Sequence, residues 1–287
     1  MTDIHHKSDD GLSLYARAYG PDTAPLTVLC MHGLTRNHKD FEPMIAALGS
    51  QYRFIAVDVR GRGQSDRSGD ASTYTPVRYA GDMIGLLNHL NLGKVALIGT
   101  SMGGLMAMLM AKAVPERIRG IVLNDIGPVV EPTGLARIAA YASTPEPVGD
   151  WTTAAAKTAA SQSIAFPDYE DRDWLAFARR TWRETANGQL ELDYDPQITQ
   201  SLGESKPGLL VRLAMWRLFN SLKPFPLLVT RGETSDVLSP KTAKRMIRRH
   251  PDAKLVTIPG RGHAPMLDEP VAVSAISDFL NKIEAQS

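Results

Sequence analysis

One serine in the chain sits in surroundings that only chemistry explains. Residues 95–104 read VALIGTSMGG, an apolar run that ends in Ser101 with Gly99, Gly103 and Gly104 crowded around it. Glycine weakens regular structure through its backbone entropy, so three of them around one hydroxyl point to a turn that needs their freedom. Residues 99–103, Gly-Thr-Ser-Met-Gly, have the G-x-S-x-G pattern of a strand–turn–helix elbow that lifts a nucleophilic hydroxyl clear of a sheet. The helix that follows aims its free N–H groups and dipole at that hydroxyl, favouring negative charge there.

A serine hydroxyl is a weak nucleophile at neutral pH and needs a base, itself oriented by a third group. Of seven histidines, His263 has the right setting: it follows the last apolar run, in the glycine-rich stretch IPGRGHAPMLDEP. His5 and His6 are read as part of a polar tail, His89 and His250 as helix residues, and His38 as surface. For the acid, LLVTRGETSDVLSP places Asp236 in the loop after the preceding strand, and Asp236 is preferred over Glu233 in the same loop and over Asp125 in LNDIGP. The order Ser101, Asp236, His263 is that of one class of catalytic triad. An oxyanion formed at an attacked carbonyl needs N–H donors. Met102, the residue after the nucleophile, offers one. Leu34, in CMHGLTRN, offers the second, with Gly33 allowing close approach and His32 fixing the loop by hydrogen bonding.

These residues must be held by a sheet. Runs such as LTVLCMHG, RFIAVDVRG, KVALIGT, IRGIVLND and PLLVTRGE are nearly continuous in Val, Ile and Leu, as strands buried on both faces of a parallel sheet are. Helical patterns separate them before residue 128 and again after 223, the rhythm of an α/β doubly wound sheet. The stretch 129–222 breaks that rhythm. It carries helical patterns, no convincing strand, and all four tryptophans, Trp151, Trp174, Trp182 and Trp216. It reads as a helical insertion between 1–128 and 223–287. Most of the tryptophans are expected to pack among its helices. Trp151, Trp182 and Trp216, with Ile126 and Leu238, are candidates for the wall of a pocket beneath it.

The 287 residues are 43% hydrophobic and 22% charged, with 32 basic against 31 acidic side chains. That balance points away from nucleic acid and anionic membranes as partners, and KRMIRRH at 244–250 reads as a solvated helix end. The single cysteine, Cys30, excludes an internal disulfide and reads as a small core residue. Without a signal-peptide pattern or an apolar run of the ~18–20 residues that span a membrane, a cytoplasmic protein is the expectation. No zinc-type ligand cluster or phosphate-binding loop appears, so neither metal nor organic cofactor is expected.

Taken together, MHGL, DVRGRGQSD, GTSMGG, GETSDVLSP and GRGHAPMLDEP resemble, in order and spacing, the α/β-hydrolase superfamily over nearly the whole chain. The resemblance implies a mostly parallel, twisted, eight-stranded sheet flanked by helices, with residues 129–222 as a helical cap inserted after the sixth strand. It makes Asp58, Asp66, Arg60 and Arg62 braces of a loop. It implies a serine hydrolase acting on a small-molecule carboxylic ester or lactone. Relatives on the same fold also include carbon–carbon bond hydrolases of aromatic-ring degradation, cofactor-free perhydrolases, and ligand receptors that keep the triad. Serine at 101 sets the chain apart from haloalkane dehalogenases and epoxide hydrolases, which carry aspartate there. Thr100, and Ala264-Pro265 after the histidine, differ from the asparagine and tryptophan common in the carbon–carbon hydrolases, and Met102 from the tryptophan of aminopeptidase relatives.

Overall fold

The computed structural model describes residues 1–142, 146–201 and 208–286. The chain begins with β1 (Thr2–Lys7), β2 (Ser13–Tyr19), β3 (Thr27–Met31), α1 (Glu42–Leu48), β4 (Arg53–Asp58) and α2 (Pro76–His89). Next come β5 (Val95–Thr100), α3 (Met102–Ala113) and β6 (Ile118–Asn124). A mostly helical stretch follows: α4 (Pro132–Ala142), α5 (Trp151–Gln162), α6 (Asp171–Thr181), β7 (Trp182–Glu184), β8 (Leu190–Leu192) and α7 (Leu209–Asn220). The chain closes with β9 (Leu227–Gly232), α8 (Pro240–Arg249), β10 (Ala253–Ile258) and α9 (Pro270–Glu284).

Eight strands form one sheet in the order β1-β2-β4-β3-β5-β6-β9-β10. Only β2 runs against the others, pairing antiparallel with both β1 and β4. The apolar runs are strands buried on both faces. In β3, Leu29 and Met31 pack into the core under α2 and α3, while Val28 and Cys30 pack into the core under α1 and α9. Alternation is therefore invisible in the sequence, because both faces exclude water. Cys30 is fully buried, as a small core residue would be.

Three expectations change. The stretch read as a polar tail is β1, whose Ile4 and His6 point inward while their neighbours face solvent. His6 packs beside His89, an inward position that hydropathy alone does not signal. The stretch 129–222, of which 143–145 and 202–207 lie outside the described residues, contains a short antiparallel hairpin, β7–β8. Strands of three residues are too short to show a period. His38, read as surface, is 1% exposed and bonded to Asp58.

Register carries the fold into the site. Thr100 of β5 pairs with Asn124 of β6, and Asn124 pairs with Thr230 of β9. Three parallel strands thus end at one level, and whatever follows each of them meets at one edge. Among the described residues, no helix is long and apolar enough to cross a membrane.

Candidate active site

Ser101 lies between β5 and α3 at φ 51° and ψ −112°, a left-handed conformation that is uncommon for a residue with a side chain. The neighbouring glycines explain how the turn tolerates it. A Cβ on Gly99 would fall on the Gly103 carbonyl, and one on Gly103 would fall on the Met31 carbonyl of the adjacent strand. Ser101 N–H donates to the Asn124 carbonyl at 2.9 Å, tying the elbow to β6.

His263, on the loop between β10 and α9, faces the serine. Ser101 Oγ lies 2.9 Å from His263 Nε2, and His263 Nδ1 lies 2.7 Å from Asp125 Oδ2. A carboxylate can only accept, so the Nδ1 proton points at Asp125 and Nε2 is left to accept from the serine hydroxyl. Asp125 is the first residue after β6 and is fully buried. Its backbone N–H donates to Thr230 O, its Oδ1 accepts from Gly232 N–H at 3.1 Å, and its Oδ2 also accepts from Ser235 Oγ at 2.6 Å. Buried charge is tolerable only when its lone pairs are satisfied, and here three donors do so.

This corrects the expected partner of the imidazole. Asp236 does not reach it. Its carboxylate is held in a two-pronged pair by Arg137 of α4, at 2.7 and 2.9 Å. Those hydrogen bonds, and the charge beside them, keep the Asp236 carboxyl below its ordinary range. Glu233 turns to Gly260 N–H instead. The residue before Asp236, Ser235, is the one that enters the site. Asn124, which no sequence motif marks, also joins the site. Its amide donates to Thr100 Oγ1 and to Pro265 O while its oxygen accepts from Thr230 Oγ1, linking the elbow, β9 and the histidine loop. The available signal was Asn-Asp closing an otherwise apolar strand.

The two N–H groups expected to serve as oxyanion donors lie on two segments. Met102 opens α3, where the helix supplies no acceptor for its N–H. Leu34 N–H donates to no acceptor among the described residues. The Gly33–Leu34 peptide is fixed from its other side, where His32 Nδ1–H donates to Gly33 O at 2.7 Å and His32 Nε2 accepts from Val59 N–H. In a trans peptide that directs Leu34 N–H away from His32. Burial pushes the His32 pKa down to about 4, so the ring stays neutral in this structural role. Arg62 donates to Leu34 O, while Arg60 pairs with Asp82 and Asp10, and Asp58 accepts from His38 and Gln64 N–H. Asp66 accepts from Ser13 N–H.

Ser101 and His263 open onto a slot of about 40 Å³, lined also by Gly33, Leu34, Tyr141 and Met266. Beside it lies a chamber of about 640 Å³ walled by α4, α5, α6 and the Thr35–Arg36 loop. Thr35, Arg36 and Tyr141 line both spaces. Of the side chains expected at the pocket wall, Trp182 lines the chamber. Trp216 instead packs on Phe219 beneath Arg245 and Arg249, so the basic run at 244–250 is partly a packing surface. Trp151 lies under Arg179. Ile126 fills the space beside Gly104, and Leu238 is fully buried in the core beside Gly127. Trp174 packs among Tyr169 and Phe177, as the expectation of helix packing had it. Among the described residues, no cluster of three His, Cys, Asp or Glu is placed to hold a metal ion.

A parallel sheet whose carboxyl edge presents a serine elbow, with a histidine loop after its last strand, defines the α/β-hydrolase class. The chain belongs to the alpha/beta hydrolase family, whose model matches residues 28–276. It is 33% identical over 266 residues to the 3-hydroxybutyrate-oligomer hydrolase of Cupriavidus necator, covering 91% of this chain and 90% of that protein. A solved alpha/beta hydrolase from Novosphingobium aromaticivorans superposes with a TM-score of 0.91 at 41% identity, covering 98% of each chain. The 2-(acetamidomethylene)succinate hydrolase of Mesorhizobium japonicum is 26% identical over 280 residues, which is 97% of this chain and 95% of that protein.

Proposed function

We propose that the protein is a serine hydrolase that cleaves a small carboxylic ester or lactone through an acyl-enzyme. The observation that carries this reading is the hydrogen-bonded line from Ser101 Oγ through His263 to the buried carboxylate of Asp125. Ser101 Oγ attacks the substrate carbonyl carbon while His263 Nε2 takes its proton. Asp125 stabilises the imidazolium that forms and holds its tautomer. The amides of Leu34 and Met102 receive the negative charge that develops on the carbonyl oxygen, and loss of one such donor costs about 3 kcal/mol of barrier. The imidazolium then gives its proton to the departing alkoxide, leaving the acyl group on Ser101. Water, deprotonated by the same Nε2, attacks that acyl group, and the free acid leaves as Ser101 recovers its proton.

The helical stretch between β6 and β9 acts in this reading as a cap. Its Arg137 and Tyr141 meet the catalytic loops, and its helices wall the chamber next to the serine. Similarity to a protein named 3-hydroxybutyrate-oligomer hydrolase supports an ester substrate. The partner is a small molecule, and the chemistry as written calls on no metal or cofactor.

The test is covalent. A fluorophosphonate probe should label the wild-type protein rapidly and stoichiometrically at Ser101, and Ser101→Ala should fold normally, resist labelling and hydrolyse no p-nitrophenyl acetate. Turnover retained by Ser101→Ala would overturn the assignment. A wild-type protein inert to the probe yet binding a small ligand tightly would favour a receptor on this fold.

A further inference from the structure

Among the described residues, the slot and the chamber share one charged residue, Arg36. It stands close to the nucleophile: a Cβ placed on Gly33 would lie 3.8 Å from Ser101 Cβ and 3.9 Å from Arg36 Cγ. Its guanidinium lies over the Phe177 ring, 4.1 Å from the centroid, a favourable cation–π contact. Its protein partner is weakly engaged: Arg36 Nη1 meets Asp40 Oδ1 at 3.3 Å through a single contact. The remaining N–H groups have no acceptor among the described residues, and they are not sealed from solvent. A guanidinium presents its donors as a planar fork suited to a carboxylate.

The charges around it favour an anion on the chamber side. Asp40 lines the slot and not the chamber. Among the described residues, the charged side chains lining the chamber are Arg36, Arg137 and Lys157, with no carboxylate among them. Arg137 has its counter-charge in Asp236, bound through Nε and Nη2 while Nη1 stays buried without a partner, and Lys157 is exposed and directed to the Glu146 carbonyl at 3.4 Å. Arg36, held by Asp40 through one 3.3 Å contact where Asp236 grips Arg137 at 2.7 and 2.9 Å, is the guanidinium with the looser counter-ion and the more open fork for a carboxylate. The chamber also holds two unpartnered buried polar atoms, the donor Arg137 Nη1 and the acceptor Gln162 Oε1, the first suited to an anion and the second to a hydroxyl or amide on the same occupant.

We infer that Arg36 anchors a carboxylate on the substrate, so that the enzyme's preferred ester is an acid ester whose free carboxylate lies in the chamber while its carbonyl sits in the slot. This deepens, and rests on, the serine-hydrolase reading.

Two matched pairs of esters test it, each exchanging the carboxylate for a methyl ketone of similar size. Monoethyl glutarate against ethyl 5-oxohexanoate places the charge on the acyl side. 3-Acetoxybutyrate against 4-acetoxypentan-2-one places it on the alcohol side. In at least one pair, the wild-type kcat/KM should favour the acid by about tenfold or more, as expected for a charge-assisted hydrogen bond. Arg36→Gln should collapse that ratio toward one, chiefly through KM, and Arg36→Lys should restore part of it. Glutarate should bind the wild-type protein in calorimetry, at least about tenfold more weakly after Arg36→Gln. Acid-to-ketone ratios at or below one in both wild-type pairs, a preference that survives Arg36→Gln, or no glutarate binding would overturn the anchor. Ser101-dependent turnover without acid preference sinks the anchor alone. Arg36-dependent glutarate binding in a protein that neither labels at Ser101 nor hydrolyses any ester sinks the serine chemistry alone.

Discussion

Two loops leave the carboxyl edge of the sheet, and each carries an aspartate near His263. Asp125 follows β6 and Asp236 follows β9. They share a charge and a neighbourhood, yet their surroundings differ in kind. Asp125 is fully buried, accepts from Gly232 N–H and Ser235 Oγ, and turns its remaining capacity to His263. The Asp236 side chain is 30% exposed and is consumed by Arg137 from α4. Which carboxylate serves a histidine is settled less by its distance along the chain than by which other donors claim it first.

The comparison breaks most sharply at the imidazole itself. Asp125→Asn should lower kcat by about 10,000-fold, because an amide can favour the wrong tautomer and leaves the imidazolium without its counter-charge. Hydrolysis of an activated ester under saturating conditions measures this. A second loss, smaller and informative, is Ser235→Ala. Removing one charge-assisted donor from Asp125 should lower kcat by about tenfold with little change in KM.

Asp236→Asn should do something different. Its effect on kcat should stay within about threefold, while stability falls by about 1 kcal/mol in urea unfolding as a partly exposed ion pair between α4 and the β9 loop is lost. The smallest effect is its pH dependence. Arg137 depresses the folded-state pKa of Asp236, so the pair's contribution is complete above the unfolded-state pKa. It is lost as pH falls through the folded-state value. The stability gap between wild type and Asp236→Asn should therefore be present at neutral pH and close on acidification below the ordinary carboxylate range. A gap that persists unchanged in acid would mean that the variant acts through packing rather than through charge.

The same contrast shows what the amino-acid sequence could reveal. The parallel strands are legible because burial on both faces demands unbroken apolar runs, as in Val28–Met31 and Val95–Ile98. Ser101 is legible because the elbow leaves no room for a Cβ at Gly99 or Gly103, and that requirement is written in residue type. His263 is legible because it follows the last strand in a glycine-rich loop. The acid is not, since its choice depends on Arg137, 99 positions from Asp236 in sequence, and on a hydroxyl from Ser235. Nor is the chamber: Trp182 faces it while Trp216 and Trp151 pack elsewhere, and only the tertiary placement of α5 to α7 separates them. β1 is not legible either, because its inward positions include a histidine, His6, where a strand pattern calls for an apolar side chain.

The proton between His263 and its carboxylate offers the most direct test. Proton NMR of the protein at a pH where the imidazole is charged should show a far-downfield Nδ1–H resonance from His263. The structure requires that resonance to remain in Asp236→Asn and to vanish or move far upfield in Asp125→Asn. A resonance that survives Asp125→Asn and disappears in Asp236→Asn would contradict the assignment of Asp125 as the residue that holds His263.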